Sequence, residues 1–121
     1  NSSAASDVYK RQDMQIWMGK FKGKRYAQLS HLKISSDEDQ MDVVLIPFDT
    51  ASFKTSKKLL LWCLWDAEIE INLNFEKEPE IYGVNYLGHR LYKIKPVSFS
   101  PNSLKIKTAR DDDIFFYEIL K

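Results

Sequence analysis

Between residues 67 and 75 the chain alternates without a break. Ala67, Ile69, Ile71, Leu73 and Phe75 are apolar, while Glu68, Glu70, Asn72 and Asn74 are polar. A period of two puts one set on the dry face and the other on the wet face of a strand. Helical spacing would scatter the four polar residues around an axis. Residues 41–48 (MDVVLIPF) form a β-branched apolar run with Pro47 near its end, where a missing N–H matters least. Residues 59–65 (LLLWCLW) are apolar on both faces and read either as a central strand or as a short buried helix. Residues 91–97, 104–108 and 114–120 predict further strands, and residues 25–34 are a less regular candidate.

Turn chemistry separates these runs. Ser100-Pro101-Asn102-Ser103 places Pro and Asn where a type I turn uses them. Asp111-Asp112-Asp113 reads as a tight hydrated connection, and residues 35–39 and 76–80 as charged loops. Residues 49–58 are the one place where a short helix could start, with Asp49 or Thr50 as its N-cap. Turn signals recur about every ten residues and no long amphipathic helix is visible. The expected fold is therefore a small antiparallel all-β domain, an up-and-down barrel first and a β-sandwich second.

The last two runs suggest a hairpin with Ile106 opposite Tyr117 and Asp111-Asp112 at the turn. Lys105 would then face Glu118, a cross-strand pair worth under ~1 kcal/mol. The outer face of the final strand would carry Ile114, Phe116 and Leu120. That face is too apolar for open water, which predicts a neighbouring element or a protein partner over it.

The N-terminal stretch SSAASDVYKRQ, Ser2 through Gln12, resembles the conceptual translation of a transposon-type library adapter, residue for residue. The resemblance implies that residues 1–12 are not part of the fold. It leaves residues 13–121 as a single β domain, with room for missing N-terminal residues. It also sets aside the glycosylation pattern Asn1-Ser2-Ser3. Lys10, Arg11 and Asp7 lie in the stretch, so the chain's 18 basic and 17 acidic side chains become 16 and 16. A zero balance gives no global argument for nucleic acid or for an anionic membrane.

Candidate chemistry is sparse. Cys63 is the only cysteine, which rules out an intramolecular disulfide and a four-cysteine zinc site and fits a reducing compartment. It lies in the most apolar run and reads as a buried small hydrophobe rather than a nucleophile. No run approaches the ~18 apolar residues of a membrane span. Glu68 and Glu70 share a face about 7 Å apart, a separation known from glycoside-cleaving carboxylate pairs, but the solvated face of a strand accounts for them better. His31 and His89 have no ligand-spaced partner. The acidic runs at residues 37–39 and 111–113 lack the ligand spacing of a calcium loop and read as solvated turns. The four glycines form no phosphate loop. No catalytic, metal or cofactor-binding set is expected.

Binding is the better prospect. Rings lie in or beside most of the predicted strands, and a small closed barrel can line a lumen with them, using one or two polar groups to orient a ligand. Trp62, Tyr82, Tyr86, Arg90, Tyr92 and Tyr117 are the candidate ligand-binding residues. A second prospect is basic-aromatic. Trp17, Lys20, Phe21, Lys22, Lys24, Arg25 and Tyr26 interleave cations and rings, and Lys93, Lys95, Lys105 and Lys107 could form a second patch. Such surfaces bind single-stranded nucleic acid, although the zero charge balance weighs against it here.

Leu91-Tyr92-Lys93-Ile94, Leu104-Lys105-Ile106 and Phe115-Phe116-Tyr117-Glu118 resemble the closing strands of small lipocalin-like barrels. Trp17-Met18-Gly19-Lys20-Phe21 loosely resembles the Gly and Trp of their first strand, in reversed order. The resemblance covers about a third of the chain. It implies an up-and-down barrel that holds a small apolar ligand, and it carries no catalytic residue. The leading expectation is a non-catalytic binding domain with a small apolar ligand in its lumen. The alternatives are a protein-interaction domain or the C-terminal β module of a longer protein, and a small nucleic-acid-binding barrel.

Overall fold

The computed structural model describes residues 12–121. The adapter-like stretch, save exposed Gln12, lies outside the described residues, as does the pattern at Asn1. Eleven strands form: β1 Gln15–Lys20, β2 Tyr26–Gln28, β3 Leu32–Ser35, β4 Gln40–Pro47, β5 Lys58–Trp62, β6 Ala67–Ile71, β7 Glu80–Val84, β8 Arg90–Ile94, β9 Ser98–Ser100, β10 Ser103–Thr108 and β11 Phe116–Leu120. No helix forms among the described residues, so none is long and apolar enough to cross a membrane.

The strands make two antiparallel sheets. One has six strands in the order β1-β4-β5-β11-β7-β8, the other five in the order β2-β3-β6-β10-β9. Neither sheet closes into a barrel, and two sheets over a shared core is the arrangement that the strand order describes. The two-residue rhythm explains the core. In β6, Ala67, Ile69 and Ile71 are buried and Glu68 is exposed; in β4, Met41, Val43, Leu45 and Pro47 are buried and the residues between them are half-buried. Leu32, Ile34, Leu104 and Ile106 of the five-stranded sheet join Leu59, Leu61, Ile81, Tyr117 and Ile119 of the six-stranded sheet in one cluster. Of residues 59–65, the first four resolve as strand: β5 lies between β4 and β11, which is why it is apolar on both faces, and residues 63–65 follow its end.

Three local expectations are corrected. The final hairpin does not form, because β10 and β11 lie in different sheets and each already has two neighbours. Lys105 and Lys107 face Glu70 and Glu68 of β6 instead. The connection between them crosses from one sheet to the other. It is pinned by the Thr108 hydroxyl, which donates to the Trp65 carbonyl (2.8 Å), and by the Ala109 N–H, which donates to the Tyr117 hydroxyl (3.2 Å). Ile114 is not on an outer patch but is 4% exposed in the core. A Cβ on Gly83 would come within 2.9 Å of its Cδ1, so glycine makes room for it. Phe116 and Leu120 do lie half-buried on the outer face of β11. Residues 49–57 form a loop rather than a helix. Asp49 caps that loop by accepting the Lys57 and Lys58 N–H groups and the Ser56 hydroxyl, which pull its pKa down to about 2, Ser56 most of all.

The outer face of the six-stranded sheet holds a charged clamp. Register places Ile46, Leu60, Glu118, Tyr82 and Lys93 in one row across five strands. Glu118 is 5% exposed, yet Lys58 Nζ (2.8 Å) and the Arg90 guanidinium (2.5 and 2.7 Å) both reach its carboxylate. Arg90 also stacks 4.5 Å over the Tyr82 ring. Burial pushes the Glu118 pKa up, but the bonds from Lys58 and Arg90 outweigh it and hold the group below its ordinary 4.5. A depressed carboxyl contributes stability that is complete above the unfolded value and is lost as pH falls through the folded one. Glu118→Gln should therefore cost ~1–3 kcal/mol at pH 7, because both cations lose a charged acceptor but can still reach water. The cost should shrink below about pH 4. Urea unfolding of both proteins at pH 7 and pH 3 checks this; an equal loss at both would remove the clamp.

Candidate ligand-binding cleft

An open cleft of about 500 Å³ lies at one end of the six-stranded sheet, where β5 ends and β11 begins. It is lined by Asp42 of β4, by Trp62, Leu64 and Trp65 at and after the end of β5, by Tyr86 of the β7–β8 turn, and by residues 110–115 of the crossing connection. Strand ends build such a site readily, because the backbone there is fixed on one side and free to turn on the other.

Each wall is positioned by hydrogen bonds. Trp65 Nε1–H donates to Asp42 Oδ2 at 3.1 Å, which orients the indole. Arg110 lies 4.7 Å over the Trp65 ring, and its guanidinium donates to both Glu38 oxygens at 2.5 and 2.8 Å. The Arg110 N–H donates to Asp66 Oδ1 (2.8 Å), and the Asp66 N–H to Glu38 Oε2 (3.2 Å). Asp111 accepts the Tyr92 hydroxyl at 2.8 Å and the Asp113 N–H at 2.9 Å. Desolvation first, then the bond to Asp111, push the Tyr92 pKa up to about 12, so the phenol keeps its proton and stays a donor. The β7–β8 turn is held by Asn85 Oδ1, which accepts the Leu87 and His89 N–H groups, and by Gly88 at φ +85°. That turn carries Tyr86 outward, 78% exposed.

The six residues expected to bind a ligand separate into three places. Trp62 and Tyr86 line the cleft, with Tyr92 bonded to the cleft residue Asp111. Tyr82 and Arg90 stack on the outer sheet face beside Glu118. Tyr117 is 1% exposed in the core, with its hydroxyl on the crossing connection. Sequence reasoning did not assemble Asp42, Trp65, Arg110, residues 111–113 and Phe115 into a site. The available signal was the acidic run beside two aromatic residues, which it assigned to a solvated turn. Among the described residues no three His, Cys, Asp or Glu side chains converge as a metal site.

The second basic group divides between the two sheets, while the register Tyr26–Ser35–Glu68–Lys107 puts one ring of the N-terminal group on the same sheet face as Lys107. Lys93 belongs to the six-stranded sheet and pairs with Glu80 at 3.6 Å, whereas Lys105 and Lys107 belong to the five-stranded sheet. In the N-terminal group Phe21 is fully buried, and half-buried Trp17 packs edge-on against it beneath Lys24. The Glu68 and Glu70 carboxylates stand opposite Lys107 and Lys105, as the outer face of a strand pair would have them. Comparison with protein-family models, curated proteins and solved structures gave no significant match.

Cys63 stands between Trp62 and Leu64 of the cleft wall, yet its side chain turns into the core, 1% exposed and 3.5 Å from Thr108 Oγ1. Burial raises its pKa, so the thiolate is scarce. Native protein at pH 8 should therefore react with an aromatic disulfide reagent no faster than it unfolds. Stoichiometric labelling within seconds, in a protein still folded by circular dichroism, would contradict this burial.

Proposed function

We propose that this is a non-catalytic binding domain and that its cleft takes a small organic cation, an ammonium or guanidinium group on an apolar body. One observation carries the reading. The only cation on the cleft lining among the described residues, Arg110, is already engaged by Glu38 and the Trp65 face, while Asp112 and Asp113 make no ion pair with a described residue and stand beside Trp62, Tyr86 and Phe115. Carboxylates and the negative faces of rings favour the same charge, and a cation over an exposed ring is worth ~0.5–1 kcal/mol, more when desolvated. A volume of about 500 Å³ suits a small ligand. The expected apolar component is kept, but it moves from a lumen to the sheet end, where the rings have free surface.

Tryptophan fluorescence or calorimetry with benzyltrimethylammonium and its uncharged isostere neopentylbenzene tests the reading. The cation should bind at least about tenfold tighter. Trp62→Ala should weaken it by about tenfold, equivalent to ~1.4 kcal/mol. Equal binding of the isostere would restore a purely apolar ligand, and binding of neither compound would end the proposal.

A second reading, a protein-interaction module, is favoured by the outer face of the six-stranded sheet. There Ile46, Leu60, Phe116 and Leu120 surround the Glu118 clamp, and Ile16 and Met18 are 46% and 56% exposed. An apolar fluorescent dye should bind the native protein on this face and be lost in Leu60→Lys. Unchanged dye binding in that variant would count against the second reading.

A further inference from the structure

A second cleft, of about 640 Å³, lies at the opposite end of the same strands. Lys57 precedes β5 and Lys121 follows β11, while Trp62 and Phe115 mark the other ends of those strands at the first cleft. Among its lining side chains are four lysines, Lys54, Lys57, Lys77 and Lys121, against two carboxylates, Asp13 and Glu76. None of the four lysines makes an ion pair with a described residue. Asp13 is partly occupied, since its Oδ2 accepts the Phe53 N–H at 2.8 Å.

The walls are firmly tied. Asp13 N–H donates to the Ala51 carbonyl (2.8 Å), Asn72 N–H to the His31 carbonyl (2.8 Å), and Lys121 N–H to the Lys57 carbonyl (2.9 Å). His31 packs edge-on against Phe53. Lys121 Nζ donates to the Phe53 carbonyl at 2.8 Å. Burial pushes the Lys121 pKa down against the pull of Asp49 and Glu76, so this cation is partly withdrawn from solvent and is held by a carbonyl rather than by a paired carboxylate. Asn72, Asn74 and Asn102 also line the cleft, and their side-chain amides make no hydrogen bond with a described residue. Excess charge of one sign in a walled concavity concentrates counter-ions there.

We propose that this second cleft binds a small polyanion, a molecule bearing phosphate or carboxylate groups, through Lys54, Lys57 and Lys77, with the asparagine amides holding its uncharged part. The inference does not depend on the cation-binding cleft, since the two share no residue.

The test titrates the whole chain at about 0.1 M salt with inorganic tripolyphosphate and, separately, with citrate, read by calorimetry and thermal unfolding. Either anion should bind and raise the unfolding temperature, and the pair separates phosphate from carboxylate as the preferred group. The double variant Lys54→Gln/Lys77→Gln should weaken binding at least about tenfold. Lys105→Gln/Lys107→Gln removes the same charge from the outer face of the five-stranded sheet and should change it less than about twofold. Equal losses in the two variants, or no binding of either anion at millimolar concentration, would overturn the proposal. Heat of binding is read directly, so a variant with a lowered unfolding temperature that still binds with unchanged affinity also overturns it.

Discussion

The inward face of each sheet has nowhere to go except against the other sheet. Ile69 and Ile106 sit opposite each other on β6 and β10, and both are fully buried with Leu61 and Ile119 of the facing sheet. That mutual burial accounts for the alternation in β4, β6 and β10. It also decides where a ligand can go. With the space between the sheets taken by side chains, free concave surface is left at the two ends, where connections rather than strands line it.

One face departs from the apolar-in, polar-out rule. Residues 44, 46, 60, 62, 116 and 120 on the outside of the six-stranded sheet are apolar and half-buried, and the buried polar residue among them is Glu118. A lone carboxylate there would resist ionisation; two cations and a ring stacked under one of them reverse that. The clamp joins β5, β11 and β8, so it ties an edge strand to the centre of the sheet through side chains that reach across β7.

Much of this was legible in the sequence, for a physical reason. Period-two runs such as residues 67–71 name both the strand and its buried face, and Ser100-Pro101-Asn102-Ser103 names the β9–β10 turn. Pairing was less legible. Lys105 has a chemically sensible partner in Glu118 and another in Glu70, and only the number of neighbours that each strand must satisfy selects Glu70. β7 was hidden because Gly83 interrupts its pattern, and the reason for that glycine, the side chain of Ile114, is 31 positions away. Asp49 advertised a cap, and it is one, but for a loop whose N–H groups arrive eight and nine residues later. The aromatic candidates were recognised as a class, but whether a given ring sits in the core, like Tyr117, or on a rim, like Tyr86, depends on strand order.

Net charge was the least informative quantity, and the strand order explains why. β4, β5 and β11 run side by side from one cleft to the other, so residues at their two ends fall on opposite poles. The acidic run at residues 111–113 precedes β11 at one pole, and Lys121 follows it at the other. Lys54 and Lys57 precede β5, and the acid-paired Trp65 follows it. Opposite charges that cancel in a sum are thus held a strand length apart, roughly 17 Å for five residues. That exceeds the screening length of about 8 Å at physiological salt. Each pole therefore acts on its surroundings as a separate local charge, and a near-zero total is compatible with two binding surfaces of opposite sign.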